Sequence, residues 1–120
     1  AYDMAGITPA EVDVAELHDA FQILEIVESE EVGFFRRGEG HLAVRRGDTA
    51  LGGKIPINTS GGLKAKGHPL GATGVSQLVE LVRQLRGEGG ERQVPEAHVG
   101  LAVNFGGFGN NVVATVLMDR

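Results

Sequence analysis

The 120-residue sequence contains no cysteine and few aromatic residues, which make up 5% of the chain. Without cysteine the chain can form no disulfide bond, no thiolate metal site and no cysteine nucleophile of its own, so any thiol chemistry needs another polypeptide. No apolar run approaches the roughly 20 residues that span a bilayer, and the N-terminus lacks the basic and apolar regions of a signal peptide. We therefore expect a soluble, cytoplasmic protein with no membrane partner and no metal site.

The length and the charge of the chain limit its organisation and its partners. With 42% hydrophobic residues the chain is long enough for a core, and we expect a single domain over residues 1–120. The net charge of −5 combines a local excess of five positive charges within residues 36–66 with a surplus of ten negative charges elsewhere. The basic stretch is either a flank that attracts the phosphates of a ligand such as coenzyme A or a solvated loop. Nucleic acid is not expected, because the chain is acidic overall and the stretch has few aromatic residues.

The clearest predicted element is a helix over residues 71–86. Its apolar residues recur at i, i+3, i+4, i+7 and i+10, and the stripe consists of Val75, Leu78, Val79, Val82 and Leu85. Gly87, Gly89 and Gly90 follow and end the helix. Two strands, at about 98–104 and 110–118, are predicted next, and a glycine-rich turn joins them.

A capping box and a short strand are predicted near the N-terminus. Thr8 and Glu11 have the capping-box spacing, with Pro9 at the first helical position, so a helical turn begins there. The next residues predict a brief strand that ends at His18 and Asp19. Its apolar positions are Val12, Val14 and Leu17.

A second helix and a long loop are predicted to follow this strand. The helix is expected to be well buried, with an acidic, solvated side that carries Glu25 and Glu28. Its apolar set consists of Phe21, Ile23, Leu24, Ile26 and Val27. Residues 33–53 are rich in glycine and charge, which predicts a loop with short irregular pieces. The order of elements predicts an α/β fold with a mixed sheet and helices on at least one face.

One histidine stands within a glycine-rich stretch, residues 58–74, with the sequence NTSGGLKAKGHPLGATG. His68 lies just before the predicted helix, where unpaired N–H groups and the helix dipole favour developing negative charge. A histidine there can act as a base near neutral pH. The alternative is a histidine that fills a tight turn and bonds a carbonyl. The flanking small residues, among them Ser60, Gly61 and Gly67, favour the functional interpretation.

Two further positions are candidates for the same site. His18 could donate a hydrogen bond to a thioester or enolate oxygen, or it is a buried histidine bonded to the backbone. Asn104 could donate a hydrogen bond to a substrate oxygen, and the nearby Gly106 and Gly107 would let a substrate approach the backbone. The alternative is an ordinary glycine-rich turn. Asp19 is expected to orient a loop or cap a helix, and Phe21 is expected in the core.

These three motifs resemble, in the same order, those of the thiolase superfamily, and together they cover most of the chain. They are Gly-His-Pro at 67–69, His-Asp-Ala-Phe at 18–21 and Asn-Phe-Gly-Gly at 104–107. The resemblance implies the C-terminal half of a thiolase-like fold, a mixed β-sheet in β-α-β-α-β-β order with helices packed on it. It also implies an N-terminal half, in the same longer chain or in a separate subunit, that carries the nucleophilic cysteine.

The resemblance assigns roles to individual residues. His68 matches the histidine that activates the cysteine of the N-terminal half. Most thiolases have an asparagine at the position of His18, where it helps hold an oxyanion-hole water; the histidine resembles the sterol-carrier-protein-X type and its archaeal relatives. The implied substrate is a coenzyme A thioester, with no permanently bound cofactor. The residues expected to contact it are Ser60, Gly61, Gly67, Gly106 and Gly107.

The sequence departs from the family pattern at the second thiol. Where thiolases place an acid/base cysteine, this chain has Asn104, and the alternative position in the sterol-carrier type is Ala20. The implied function is acetyl-CoA acetyltransferase-type acyl transfer, or carbon–carbon bond formation or cleavage on coenzyme A thioesters. A thiolase-related aldolase, a non-catalytic acyl-CoA-binding or scaffold module, and a β-ketoacyl-synthase relative stay as alternatives.

A free monomer is not expected, since a half-fold would expose the apolar stripe of the 71–86 helix. We expect a homo- or hetero-oligomer, and no turnover by the 120-residue chain alone.

Overall fold

A computed structural model describes residues 1–119 of the chain. The elements, in chain order, are α1 (Tyr2–Ala5), β1 (Val14–Glu16), α2 (Gln22–Glu31), α3 (Gly40–Arg46), α4 (Gly62–Lys66), α5 (Thr73–Leu85), β2 (Val99–Gly106) and β3 (Asn111–Met118). Single turns of 3-10 helix lie at Pro9–Glu11, which carries the expected capping box, and at Gly90–Arg92. Within residues 1–119 no helix has both the length and the apolar character needed to cross a bilayer.

The three strands form one mixed sheet in the order β1-β2-β3. β1 runs parallel to β2, with Val14 opposite Gly100, and β2 runs antiparallel to β3. The second strand of the expected β-α-β-α-β-β order is reduced to a single parallel bridge between Ala15 and Ile57, at the other edge of β1. The mixed α/β architecture expected from the sequence is confirmed.

Each face of the sheet has its own apolar core. Alternate residues along β1 and β2 belong to different cores, as the period of two in a strand requires. The first core combines strand residues with segments outside the sheet and consists of Val12, Ala15, Leu17, Phe34, Ile55, Ile57, Leu101 and Val103. The second lies beneath α5 and consists of Val14, Leu81, Val94, Ala97 and Ala102.

Helix α5 packs on the sheet with a largely polar side. The helix itself was predicted, and three residues of its apolar stripe, Val75, Val79 and Val82, are exposed on the opposite side, as expected for a half-fold. The residues of α5 that are buried are Thr73, Gln77, Glu80, Leu81 and Gln84. Periodicity shows that a helix has an apolar side, but it does not show whether the chain itself covers that side.

Helix α2, in contrast, contradicts its prediction. Phe21, Ile23 and Val27 are exposed, so neither the well-buried helix nor a core position for Phe21 is correct. The acidic side is not solvated, because Glu28 is buried. Its Oε2 accepts the backbone N–H of His18 at 2.8 Å, which gives one of the two buried carboxyl oxygens a polar partner.

The segment expected to be a loop over residues 33–53 contains the seven-residue helix α3. Glu30 of α2 anchors its start by accepting the backbone N–H groups of Gly38 and Gly40 at 2.9 and 2.8 Å. A Cβ atom at Gly40 would come within 2.9 Å of the Ile26 carbonyl oxygen, so the close approach needs glycine. A helix of two turns is too short for periodicity to reveal.

Candidate active site

Three separate parts of the fold bring the candidate catalytic residues together. His18 follows β1, His68 lies between α4 and α5, and Asn104 belongs to β2. All three line one cleft of about 910 Å³, together with Gly106 and Gly107. The other candidate binding residues, Ser60, Gly61 and Gly67, are not among the residues that line it.

The ring of His18 is held in one orientation. It stacks on Phe105 with 5.5 Å between ring centroids, and its Nδ1 lies 3.3 Å from the Phe105 backbone nitrogen and 3.2 Å from Asn104 Nδ2. A backbone N–H can only donate a hydrogen bond, so Nδ1 is the acceptor and carries no hydrogen. The hydrogen of the neutral ring is therefore on Nε2.

The surroundings of His18 favour its neutral form. Burial lowers the pKa of His18, and the neighbouring His68 lowers it further, although Asp19 acts in the opposite direction. At neutral pH the ring is consequently uncharged. His18 thus offers a neutral N–H donor.

His68 is oriented by the first turn of α5. Its Nδ1 lies 2.7 Å from Thr73 Oγ1, and that hydroxyl donates to the Pro69 carbonyl oxygen at 3.3 Å. Both contacts are satisfied when His68 donates from Nδ1–H, which leaves Nε2 with a free lone pair. The rings of His18 and His68 meet almost perpendicularly, with centroids 4.8 Å apart and an interplanar angle of 89°. A donor and a base therefore lie side by side.

Asn104 contacts His18 rather than presenting a free donor. Gln77 donates from Nε2 to the carbonyl oxygens of Glu16 and Val103, at 3.2 and 2.9 Å. Its Oε1 is thus an acceptor, and Asn104 Nδ2 donates to it at 3.1 Å. The two amide hydrogens of Asn104 are used by Gln77 and His18. In this arrangement Asn104 has no free N–H for a substrate oxygen, which differs from the role expected for it.

Gln77 belongs to this network and was not identified from the sequence. The available signal was a second, polar stripe with helical spacing beside the apolar one. Its members are Thr73, Gln77, Glu80 and Gln84. Because both stripes have the same period, the sequence does not say which of them faces the sheet.

The loop before His68 is fixed by Asp19. Its Oδ1 accepts the backbone N–H of Leu63 in α4 at 2.7 Å, which gives Asp19 the loop-orienting role that the sequence predicted. A Cβ at Gly62 would collide with the Asp19 carboxylate, and Gly62 has φ +61°. Glycine is therefore required where the two motifs meet.

Ser60 supports the loop from its other side. Its Oγ donates to the buried Glu16 Oε2 at 2.6 Å, and Lys66 Nζ donates to the same Oγ at 2.7 Å. Burial raises the pKa of Glu16, while the hydrogen bonds from Ser60 oppose that shift. Gly61 and Gly67 cap the two ends of α4 with φ values of 94° and 87°. The structure thus gives these three residues contacts that shape the loop.

The cleft is largely apolar, and its lining within the described chain contains no carboxylate, lysine or arginine. Phe21, Leu70 and Phe108 lie at its exposed rim. Ala20 also lines it, so both positions where the family resemblance places a second thiol face the cleft without one. A fixed N–H donor beside a base in apolar surroundings is suited to stabilising an oxyanion or enolate while a proton is removed.

Known proteins resemble the chain over almost its whole length. A family model described as "Thiolase C-terminal domain-like" matches residues 1–119. An acetyl-CoA acetyltransferase from Methanothermobacter thermautotrophicus is 49% identical over 97% of this chain and 30% of its own length. Sterol carrier protein 2 from Homo sapiens is 52% identical over 96% of this chain and 21% of its own length.

A solved structure has a similar fold. It is described as "Ltp2-ChsH2(DUF35) aldolase", and it matches with a TM-score of 0.75 and 30% identity over 85% of this chain and 26% of that chain. The chain therefore spans between about a fifth and a third of the length of these relatives. Because the family model covers all but the last residue, the chain belongs to the thiolase C-terminal domain-like family.

Proposed function

We propose that this chain is the C-terminal part of a thiolase-type enzyme that acts on acyl-coenzyme A thioesters. The observation that carries the proposal is the pairing of His18 and His68 in one apolar cleft, with 4.8 Å between ring centroids. One ring offers an N–H and the other a lone pair. That combination supports acyl transfer, or carbon–carbon bond formation or cleavage, next to a thioester carbonyl.

In the proposed mechanism His68 Nε2 accepts a proton. The proton comes from a nucleophile supplied by the N-terminal part or from the carbon beside the thioester carbonyl. His18 Nε2–H donates to the carbonyl oxygen as negative charge develops there, and Asn104 holds the His18 ring. Loss of one such donor typically lowers kcat by about 10²–10³-fold. No permanently bound cofactor is needed for these steps.

The partner we propose is the N-terminal part that the longer relatives contain. The exposed apolar residues of α2 and α5 give it a surface on which to pack, and the open side of the cleft gives it a place to deliver the nucleophile. The part belongs to the same longer chain or to a separate subunit. The completed protein is proposed to be a cytoplasmic oligomer.

A second candidate is an aldolase acting on an acyl-coenzyme A side chain. Ala20 and Asn104 support it, because neither can supply the second thiol, and the structural neighbour is described as an aldolase. In a retro-aldol step the base removes the proton of a β-hydroxyl group and the adjacent carbon–carbon bond breaks. The products are a carbonyl compound and the enolate of a shorter acyl-coenzyme A, which is then protonated.

The two reactions differ in their use of free coenzyme A. The completed protein should be supplied either with a 3-ketoacyl-CoA plus CoA or with a 3-hydroxyacyl-CoA alone. Thiolysis consumes the free thiol and yields two acyl-CoA products, whereas aldol cleavage consumes none and releases an aldehyde or ketone. Thiol titration with mass spectrometry of the products separates these outcomes.

Histidine variants test the assignment. His68→Ala is expected to lower kcat at least 10³-fold and His18→Ala about 10²–10³-fold. His98→Ala is the matched control, because His98 is exposed and its ring pairs with Asp119 outside the cleft. Binding of acyl-CoA with no turnover of either substrate would contradict the enzyme proposal and indicate a non-catalytic module.

A further inference from the structure

We propose that Gln77 is a positioning residue that helps the Phe105 backbone N–H to hold His18 in its Nε2–H tautomer, and that it acts through the side-chain amide of Asn104. Its catalytic consequence rests on the proposed function, but the tautomer itself is a property of the described residues. Gln77 touches neither a substrate nor the imidazole of His18; it acts through Asn104.

The first step is the fixed orientation of Gln77. The side chain is fully buried, and its Nε2 donates to two carbonyl oxygens, those of Glu16 and Val103. Carbonyl oxygens only accept hydrogen bonds, so the amide cannot be reversed without leaving two buried acceptors facing an oxygen. Oε1 of Gln77 must therefore point away from them, and it meets Asn104.

The second step is the orientation of Asn104. Alone, an asparagine amide can present either its oxygen or its nitrogen to a neighbour. Here the acceptor of Gln77 lies 3.1 Å from Asn104 Nδ2, and rotation of the Asn104 amide would place two oxygens against each other. Gln77 thereby selects the rotamer in which Asn104 also directs an N–H towards His18 Nδ1.

The third step is the choice of tautomer at His18. An N–H aimed at Nδ1 favours the ring with its hydrogen on Nε2, whereas an oxygen in the same place would favour Nδ1–H. The Phe105 backbone N–H acts in the same direction over 3.3 Å, and the Asn104 contact of 3.2 Å adds to it. With the other tautomer, His18 would present a lone pair instead of the donor that the proposed oxyanion interaction needs.

The position of Gln77 suits this role. The two carbonyls it binds belong to neighbouring strands: Glu16 ends β1, two residues before His18, and Val103 in β2 directly precedes Asn104. One side chain on α5 thus joins the ends of both strands that deliver the site residues. A displacement of either strand would alter the same amide contacts.

The test is the ¹⁵N spectrum of the histidine side chains in the intact protein that contains these residues. The wild-type protein is expected to show His18 protonated at Nε2 and not at Nδ1. In Gln77→Met, which keeps the length of the side chain and removes its amide, a substantial Nδ1–H population and a raised pKa of His18 are expected.

Gln84→Met is the matched control. Gln84 is as deeply buried in the same helix and bonds Arg92 and Val94, but it has no contact with Asn104. Its variant should leave the His18 tautomer unchanged. An unchanged tautomer in Gln77→Met would overturn the proposal.

A second variant keeps the test decisive if Gln77→Met fails to fold. Asn104→Asp has nearly the same shape and replaces the amide nitrogen by an oxygen, so His18 should acquire a hydrogen on Nδ1. A His18 that stays unprotonated at Nδ1 in this variant would contradict the proposal.

Turnover gives a separate result. In the completed enzyme, Gln77→Met is expected to lower kcat about tenfold with KM nearly unchanged, because a transition-state donor is weakened. A tautomer change in a protein without acyl-CoA turnover would contradict the proposed function and leave the inference about Gln77 standing. A fully active Gln77→Met protein with the wild-type tautomer would contradict the inference about Gln77 and leave the proposed function standing.

Discussion

The two faces of the sheet are built in different ways. On the first face, strand residues such as Ala15 and Leu101 pack in one core with Phe34 and Ile55, which the chain supplies from its own loops. On the second face, α5 buries Leu81 among polar side chains and exposes much of its apolar stripe. The first core is covered by the chain's own loops, whereas α5 has a polar network beneath it and an uncovered apolar surface above it.

This difference indicates that the two sides of α5 have separate roles. Buried polar groups add little stability even when they are satisfied, but they fix side chains in one arrangement. Gln77 bonds the strand ends near the site, while Gln84 bonds the Arg92 carbonyl and the Val94 N–H at the other end of the helix. We infer that the inner side of α5 orients the site and that its outer side receives the proposed N-terminal part.

The largest expected effect tests whether the second face is packed as tightly as the first. Leu81→Ala should lower the free energy of unfolding by about 3 kcal/mol, because the fully buried side chain would leave a cavity. Leu81 lies so close to the sheet that a Cβ at Gly100 would come within 3.1 Å of it. Urea denaturation measures the change, with Leu101→Ala as the reference on the first face. A loss below about 1 kcal/mol for Leu81→Ala would show a loosely packed second face.

The next effect is a pH dependence of the free energy of unfolding, which comes from Glu28. Burial raises the pKa of Glu28 to about 7 from 4.5, and within residues 1–119 its Oε1 has no hydrogen-bond partner. Between these two values the folded protein holds a proton that the unfolded chain releases. The contribution of this group to stability is therefore present below about pH 4.5 and is lost as the pH rises through 7.

Glu28→Gln should remove that loss. The glutamine oxygen can still accept the His18 backbone N–H. Between pH 4.5 and 8 the free energy of unfolding of the variant should therefore fall by up to about 3 kcal/mol less than that of the wild-type protein. Unfolding free energies measured across this range test it, with Glu88→Gln as the control for removal of an exposed acid. Parallel curves for Glu28→Gln and the wild-type protein would rule out Glu28 as the source.

The prediction of the fold from sequence succeeded where a pattern has one physical meaning. The capping box at Thr8, the strand before His18 and the two C-terminal strands were predicted from local chemistry or alternation, and the structure contains them. The helix over α5 was found from its period. The exposure of its apolar stripe was expected from the resemblance to a half-fold and not from the period, because the apolar stripe on Val75 and the polar stripe on Gln77 repeat with the same period.

The sequence likewise identified some residues of the candidate site and missed others. His18, His68 and Asn104 were identified from motifs and do line one cleft, but their roles there stay proposals. Gln77 was marked only by the polar stripe of α5, and Glu28 had no local signature, since their partners Val103 and His18 lie 26 and 10 residues away in the sequence. Such contacts are set by tertiary packing, which a single sequence does not display.

A smaller effect distinguishes loop support from ligand binding at Ser60. Ser60→Ala should cost about 1–2 kcal/mol, because the buried Glu16 carboxylate would lose a hydrogen bond of 2.6 Å. Ser76→Ala is the control, since the Ser76 hydroxyl donates to the Thr73 carbonyl oxygen within α5. Thermal unfolding compares the two variants. A lower affinity for acyl-CoA with no change in stability would instead return Ser60 to the ligand-binding role expected from the sequence.

The smallest effect on stability concerns the outer side of α5. Val79 is 44% exposed, so Val79→Lys should change the free energy of unfolding of this chain by no more than about 0.5 kcal/mol. A lysine placed against an apolar partner surface would lose hydration without gaining a counter-charge, so association with the N-terminal part should weaken strongly. Chemical denaturation and light scattering give the two readouts. If Val79→Lys lowers stability as much as Leu81→Ala does, the outer side of α5 is already packed within this chain, and the contrast between the two sides of α5 disappears.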